Sequence, residues 1–165
     1  KSFDLIFKVN PDYKPGVIAY LINQIKGVKF IFDAGLVKKL KASVTTTYRI
    51  MKKNTEGVMI YDADKNNEPY LLGYGYTGIM EVVRKMNRDK YKGTYILDFN
   101  LMDYIENRSS AYQKHKFFGL FTKDKKDKAK YVRMDQLLNI KPEEALDYQN
   151  MLKIYINVLN KVIAK

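Results

Sequence analysis

Short apolar runs bounded by turn residues alternate with stretches of helical periodicity through the first hundred residues. Residues 3–9 (FDLIFKV) are rich in β-forming side chains and end at an Asn-Pro-Asp turn, which predicts a strand. Val17, Leu21 and Ile25 recur at helical spacing before Gly27, which predicts a helix of about three turns. The same criteria predict strands at residues 28–32, 44–50 and 58–61, a helix at 77–87 and a strand at 94–99.

The order of these elements indicates the fold class. Residues 44–50 and 58–61, joined by a polar turn, form a predicted hairpin. The first hundred residues then follow the order strand, helix, strand, strand, helix, strand, which is the ferredoxin-like βαββαβ arrangement of the α+β class. We therefore expect a ferredoxin-like domain over residues 1–100, in which two helices lie on one face of a four-stranded antiparallel sheet.

Residues 101–165 differ in character and predict a basic extension of this domain. The charge run at 122–130 (TKDKKDKAK) has no apolar anchor and is expected to form an exposed loop, followed by a short strand at 131–133. Pro142, with two glutamates after it, is typical of the first turn of a helix. Apolar residues spaced by three and four between 148 and 162 predict an amphipathic C-terminal helix that docks on the domain or on a neighbour.

The net charge of the chain indicates which class of partner it binds. The formal net charge is +12, with 30 Lys and Arg against 18 Asp and Glu. Residues 1–50 contribute +6, residues 51–100 +1 and residues 101–165 +5, which favours binding along an extended anion over binding of a single phosphate. The absence of cysteine excludes disulfides, thiolate metal sites and thiol catalysis. No apolar run approaches about 18 residues, so we expect neither a membrane span nor a membrane partner.

Residues 73–78 (GYGYTG) match the GxGxxG pattern of dinucleotide-binding loops, and Asp98 follows about twenty residues on. The preceding predicted strand is short and the chain is small and basic, so a glycine-rich loop that enters a helix is the preferred interpretation. Asp62 and Asp64 form a pair without a third carboxylate at a spacing suited to Mg²⁺. We expect turn chemistry at this pair, and neither a cofactor nor a metal ion.

His115, the single histidine of the chain, lies between Lys114 and Lys116 and is close in sequence to Arg108. Small basic ribonucleases can use such groups to cleave RNA by general acid–base catalysis. A second hypothesis is therefore a small RNA-cleaving toxin or phage-type nuclease in which His115, Arg108 and Lys114 carry the catalysis. The alternative for this segment is a basic surface loop that contacts phosphate.

Residues 35–53 mix basic side chains with threonine hydroxyls and one tyrosine ring. Basic groups neutralise phosphates, hydroxyls donate hydrogen bonds and an aromatic ring stacks on a base, so this mixture suits RNA. The alternative is a solvated charged hairpin. Together with the two lysines beside His115, the candidate RNA-binding residues are Lys38, Lys39, Lys41, Tyr48, Arg49, Lys52, Lys53, Lys114 and Lys116.

Residues 3–99 resemble the S-six family of small-subunit ribosomal proteins from bacteria and organelles. The opening FDLIFKVNPD is similar to the first strand and Asn-Pro turn of that family. Gly35 with Lys38-Lys39-Leu40 resembles its Gly-basic-basic-Leu element, and residues 48–53 (YRIMKK) resemble its aromatic-x-Ile-basic stretch. Residues 56–61 (EGVMIY) resemble the strand that follows, and residues 80–98 are similar to the second helix and last strand.

The resemblance implies a ferredoxin-like fold without enzymatic activity, bound to small-subunit ribosomal RNA and to a neighbouring protein of the S-eighteen family. By position, it implies that the RNA-side residues are Lys38, Lys39, Arg49, Lys52 and Lys53. The chain departs from the family in extra residues around 41–47, in a longer glycine-rich loop and in a last strand without the expected arginine. Its basic extension is more typical of mitochondrial ribosomes, so we expect the mitochondrial matrix, with a bacterial cytoplasm as the alternative.

Overall fold

The computed structural model describes residues 6–8, 14–98, 100–112 and 124–163, with the side chains at 124–127 left aside. The chain divides into two compact units. The first consists of residues 1–99 with 158–165, and the second of residues 100–157. Residues 158–165 are thus grouped with the unit that contains the sheet.

Four parallel strands form the main sheet of the first unit, in the order β1-β2-β3-β6. Between β3 and β6 the chain forms a short antiparallel ribbon of β4 and β5. The strand bounds are β1 (Ile6–Lys8), β2 (Lys29–Asp33), β3 (Thr55–Ile60), β4 (Asp62–Ala63), β5 (Pro69–Tyr70) and β6 (Thr94–Leu97). The strands predicted around residues 28–32, 58–61 and 94–99 are confirmed, as is the described part of the strand predicted at 3–9.

Helices connect successive strands of the sheet. The helices of the first unit are α1 (Pro15–Gln24), α2 (Ala34–Lys39), α3 (Val44–Met51) and α4 (Ile79–Arg88). The second unit begins with α5 (Met102–Asn107), a 3-10 helix (Arg108–Tyr112) and α6 (Asp124–Leu138), and α7 (Tyr148–Ile163) ends the chain. In the first unit α3 contacts α1, α2, α4 and β2, so it lies at the centre of the helical layer. The helices predicted at 17–27 and 77–87 are confirmed as α1 and α4.

The core of the first unit lies between the sheet and this helical layer. Phe30 and Phe32 of β2 and Val58 and Ile60 of β3 are buried. The Phe32 ring meets the Tyr48 ring of α3 edge to face, with the ring centres 5.6 Å apart, and this is a geometry that aromatic pairs prefer. The helices contribute the buried side chains Ile18, Val44, Met51, Ile79, Val82, Val83 and Met86.

Residues 44–50 form part of α3, so the predicted strand and the hairpin that it would begin are wrong. Ser43 begins the helix, because its Oγ accepts a hydrogen bond from the Thr46 backbone N–H at 3.4 Å. The buried residues of α3 are Val44, Thr47, Tyr48 and Met51, which recur at helical spacing. Burial of this face outweighs the low helix propensity of valine and threonine, which costs less than about 0.7 kcal/mol per residue relative to alanine.

A helix between β2 and β3 allows these strands to be parallel, whereas a hairpin would make neighbouring strands antiparallel. The α+β class is confirmed. The prediction of an antiparallel sheet is wrong, because every neighbouring pair of strands in the main sheet is parallel. The described strands therefore do not have the ferredoxin-like arrangement that the S-six resemblance implies.

Two predictions for the second unit are also wrong. Residues 124–138 form α6, where a loop and a short strand were expected, and its buried side chains include Met134 and Asp135. The last helix begins at Tyr148 and not at Pro142. The backbone carbonyls of Lys141 and Glu144 accept hydrogen bonds from the Arg108 guanidinium, so a tertiary contact uses the segment that was expected to start the helix.

The glycine-rich segment at residues 73–78 wraps around the buried carboxylate of Asp62, which is 4% exposed. Its Oδ2 accepts hydrogen bonds from the N–H groups of Gly73 (3.1 Å) and Gly75 (3.0 Å). Its Oδ1 accepts from the N–H of Ala63 (3.0 Å) and from the N–H and hydroxyl of Thr77 (3.1 and 2.8 Å). A Cβ at Gly75 would collide with this carboxylate, so the close approach requires glycine.

This arrangement opposes the dinucleotide interpretation of the loop. The N–H groups that would hold a pyrophosphate in a dinucleotide site are donated to an internal anion. Turn chemistry is confirmed at Asp64, whose Oδ1 accepts hydrogen bonds from the N–H groups of Asn66 and Glu68 in the following turn. Asp62 differs from that expectation, because most of its donors lie in a distant loop and not in an adjacent turn.

We predict that Asp62→Ala lowers the free energy of unfolding by about 3 kcal/mol or more, because it leaves several buried donors without an acceptor. Urea denaturation followed by circular dichroism measures the loss. The control is Asp103→Ala, which removes an exposed carboxylate of α5 and should change stability by less than about 0.5 kcal/mol. Equal losses in the two variants would contradict the structural role of Asp62.

Candidate nucleic-acid interface

A basic groove of about 180 Å³ runs between α3 and α4, and we call it the α3–α4 groove. It is lined by Tyr48, Arg49, Lys52, Lys85, Arg88 and Asp89. Arg49 in α3 and Lys52 directly after this helix lie three positions apart, as do Lys85 and Arg88 in α4, a spacing that places side chains on one helix face. Because α3 and α4 are in contact, the two basic pairs face the same groove.

The acidic residues near the groove neutralise part of this charge. Lys52 Nζ lies 3.2 Å from Asp89 Oδ2, and Lys85 Nζ lies 3.9 Å from Glu81 Oε1. Both pairs are largely solvent-exposed, and such pairs contribute at most about 1 kcal/mol each. Within the described part of the chain, no carboxylate lies within ion-pair distance of Arg49 or Arg88. The groove therefore retains a positive potential.

Tyr48 forms the floor of the groove and is only 2% exposed. Burial, with smaller contributions from the Asp89 carboxylate and Tyr95, raises the pKa of Tyr48 to about 12, so its hydroxyl stays neutral at physiological pH. The sequence suggested that this ring stacks on a base. The structure contradicts that role, because the ring is buried against Phe32.

The structure brings only some of the predicted RNA-binding residues together. Tyr48, Arg49 and Lys52 line the α3–α4 groove, whereas the other described candidates do not. Those exposed lysines are Lys38 and Lys39 in the last turn of α2, Lys41 after that helix, and Lys53 after α3. Lys114, Lys116 and the alternative catalytic residue His115 lie outside the described residues.

Lys85 and Arg88 are groove residues that the sequence interpretation missed. They lie in residues 51–100, whose net charge of only +1 did not indicate an anion-binding surface. The signal that could have found them is the spacing along α4. Its buried residues Val82, Val83 and Met86 define one face, and basic residues occupy the remaining surface of the same turns.

Arg108, a candidate catalytic residue of the nuclease hypothesis, is buried in an ion pair within the second unit. Its Nε donates to Asp135 Oδ1 at 2.8 Å and its Nη2 to Asp135 Oδ2 at 3.0 Å, with the two side chains 4% and 1% exposed. Asp135 also accepts hydrogen bonds from the hydroxyls of Tyr104 (2.6 Å) and Tyr112 (2.8 Å). Arg108 is therefore a structural residue, and its proposed catalytic role is contradicted.

The electrostatics of this cluster keep every donor in its protonated form. Burial lowers the pKa of Arg108, but the hydrogen bonds and charge of Asp135 outweigh this effect and raise it overall. Burial and the hydrogen bond to Asp135 raise the pKa of Tyr112 to about 12, and the same causes raise the pKa of Tyr104. The cluster is thus an internal network whose donors share one carboxylate.

Two further kinds of feature that would bear on function, a metal-holding cluster and a membrane-spanning helix, are lacking among the described residues. Among them, no group of three His, Cys, Asp or Glu residues is placed to hold a metal ion. Asp33, at the end of β2, accepts hydrogen bonds from the Leu36 N–H (3.0 Å) and the Tyr61 hydroxyl (2.6 Å), and it pairs with Lys8 at 3.4 Å. No helix in the described ranges is long and apolar enough to cross a bilayer.

We predict that Asp135→Ala destabilises the protein by about 3–5 kcal/mol, because it leaves the buried Arg108 guanidinium without its charged partner. Asp135→Asn should cost less, since an amide oxygen still accepts some of these hydrogen bonds. Thermal and urea denaturation measure both effects, with the exposed Glu106→Gln as a control. A change in Asp135→Ala no larger than in this control would show that the pair is not required.

Comparisons with protein-family models, with curated proteins and with solved structures find no match to this chain. The resemblance of residues 3–99 to the S-six family therefore stays a prediction. The feature of the described residues that bears on function is the α3–α4 groove, where four basic side chains lie together.

Proposed function

We propose that this protein binds RNA through the α3–α4 groove. The observation that carries the proposal is the convergence of Arg49, Lys52, Lys85 and Arg88 on one groove. These residues come from two separate parts of the sequence. Nothing in the abundance of lysine and arginine alone would bring them to the same groove. A concave surface lined by one sign of charge concentrates field lines and attracts an anion.

The details of the groove favour a phosphate backbone as the anion. Arginine presents a planar fork of donors that matches phosphate oxygens in pairs, whereas lysine acts as a point charge. The groove contains two residues of each kind. The exposed pair between Lys52 and Asp89 is weak, so a phosphate can compete for Lys52 at low cost.

Helix stability offers a competing explanation for these residues. Arg49 lies in the last turn of α3, and Lys85 and Arg88 lie in the last turn of α4, where cations stabilise the helix dipole by about 0.3–1 kcal/mol. That effect places a basic residue at a helix end. It does not require the ends of two helices to face one another, so convergence remains the stronger support for RNA binding.

A place in the small ribosomal subunit is the form of RNA binding that the S-six resemblance implies. Arg49 and Lys52, two of the positions carried over from that family, line the groove, although the parallel sheet is not the fold that the resemblance implies. We extend the proposal to a structural, non-enzymatic component of that subunit, bound to ribosomal RNA beside a protein of the S-eighteen family in the mitochondrial matrix. The test is whether the native protein co-sediments with small subunits through moderate salt.

For RNA binding itself, we predict that the double substitution Arg49→Gln and Arg88→Gln weakens binding to a single-stranded RNA by about tenfold or more. The magnitude of the slope of log K against log salt should fall by about 1.4, since each arginine neutralises one phosphate and each phosphate of a single strand contributes about 0.7. Fluorescence anisotropy of a labelled oligoribonucleotide, repeated at several salt concentrations, measures both quantities.

The matched control is Arg133→Gln with Lys153→Gln, which removes the same formal charge from exposed residues outside the groove lining. If the control weakens binding as much as the groove variant does, charge alone is responsible and the groove is not the site. RNA must also remain intact during the assay. Cleavage that is lost in His115→Ala would replace this proposal with the nuclease hypothesis.

A further inference from the structure

A second cleft, of about 170 Å³, lies at the carboxyl ends of β2 and β3, whereas the α3–α4 groove lies at the other end of the strands. It is lined by Gly35 and Lys38, which follow β2, and by Ala63, Asp64 and Lys65, which follow β3. Asn67, Tyr76 and Thr77 complete its lining, and we call it the strand-end cleft. In open sheets of parallel strands, ligands bind outside the carboxyl ends at the point where the strand order reverses. The order β1-β2-β3-β6 has no such reversal, so here only the lining of the cleft itself points to a ligand.

Tyr76 is presented to this cleft on a rigid piece of backbone. Its N–H donates to the Ala63 carbonyl at 2.7 Å, and its neighbours Gly75 and Thr77 both donate to the Asp62 carboxylate. The Tyr76 side chain is nevertheless 51% exposed. An aromatic ring that is exposed on an anchored loop can stack on a ligand with little loss of conformational entropy.

The charged groups of the cleft surround this ring. Lys65 Nζ lies 5.0 Å from the centre of the Tyr76 ring, and Lys38 extends into the cleft from α2. The Asp64 carboxylate is the acidic group in the lining, and its Oδ1 is engaged by two N–H groups of the following turn. The exposed lysines thus outnumber the carboxylate in the lining.

A ring and two ammonium groups select a ligand that is both planar and anionic. Base stacking on an aromatic side chain and phosphate contact with lysine are the two interactions that hold a nucleotide. The cleft is smaller than the pockets of about 300–1,000 Å³ that enclose drug-sized ligands, so a nucleotide would be held partly outside it, with its base on the exposed ring. The loop N–H groups that a pyrophosphate would need are donated to Asp62. These limits exclude a dinucleotide and leave a single nucleotide unit.

We propose that the strand-end cleft binds one nucleoside monophosphate unit, with its base on Tyr76 and its phosphate between Lys38 and Lys65. The unit can be a free mononucleotide or the phosphorylated end of an RNA strand, since both present the same base and phosphate. None of the residues that line the α3–α4 groove takes part. The proposal therefore stands independently of the proposed RNA groove.

Isothermal titration calorimetry of the full chain with AMP, with adenosine and with inorganic phosphate tests this site. AMP should bind more tightly than adenosine or phosphate alone, because it engages the ring and the lysines together. Tyr76→Ala should weaken AMP binding by about tenfold, and Tyr76→Phe should preserve it because the ring remains. Lys38→Gln with Lys65→Gln should weaken AMP binding without affecting the weak binding of adenosine.

The chain offers closely matched controls. Tyr74 lies in the same loop and is 50% exposed, but it is outside the described lining of the cleft, so Tyr74→Ala should leave AMP binding unchanged. Lys39→Gln removes an exposed lysine adjacent in sequence to Lys38 and should also have little effect. Circular dichroism and thermal denaturation confirm that each variant remains folded.

Oligoadenylates with and without a terminal phosphate distinguish the two sources of the ligand. Preference for the phosphorylated strand over AMP, lost in Tyr76→Ala, assigns the cleft to a strand end, and preference for AMP assigns it to the free nucleotide. Arg49→Gln with Arg88→Gln should leave AMP binding intact, which separates a failure of the groove from a failure of the cleft. Absence of saturable AMP binding up to millimolar concentration, or equal losses in Tyr74→Ala and Tyr76→Ala, would overturn the proposal.

Discussion

Parallel strands cannot be joined by tight turns, because each strand must begin at the same end of the sheet as its neighbour. In this protein the requirement is met by α1 between β1 and β2, by α2 and α3 between β2 and β3, and by α4 before β6. The crossovers create both candidate sites. The last turns of α3 and α4 lead into the first residues of strands, where the basic groove lies, whereas the ends of β2 and β3 lead into the strand-end cleft.

Buried carboxylates hold the irregular parts of the chain between these regular elements. Asp62 accepts hydrogen bonds from the glycine-rich loop, and Asp135 accepts them from Arg108 and two tyrosine hydroxyls. A buried charge is costly unless donors surround it, and each of these carboxylates has several. Both aspartates therefore hold the segments around them in place, which explains why residues with apparent catalytic or ligand-binding character have structural roles.

The two proposed sites differ in how they would recognise an anion. The α3–α4 groove has four basic residues above a buried tyrosine, which suits a phosphate backbone without base contacts. The strand-end cleft combines fewer charges with an exposed ring, which suits a single nucleotide. The division of the positive charge along the sequence is thus less informative than its division over the surface, because Lys85 and Arg88 come from the nearly neutral middle of the chain.

The sequence by itself determined the elements whose local signals agree with their burial. The apolar runs that became β2, β3 and β6, and the periodic stretches that became α1 and α4, are recognisable because side-chain spacing reports the buried face directly. The basic composition and the local role of Asp64 follow from the sequence in the same way. Arg49 and Lys52, which the sequence predicted as binding residues, share one groove, and their binding of RNA stays a prediction.

Only the tertiary structure decided the state of residues 44–50, the direction of the strands and the partners of the groove residues. Val44 to Ile50 has β-forming composition, and its helical state depends on burial against Phe32 and α4, which lie elsewhere in the chain. Pro142 does not begin a helix, and the Arg108 guanidinium instead binds the carbonyls of Lys141 before it and Glu144 after it. Sequence spacing records which face of an element is apolar, but not what that face meets, and these features depend on contacts between distant residues.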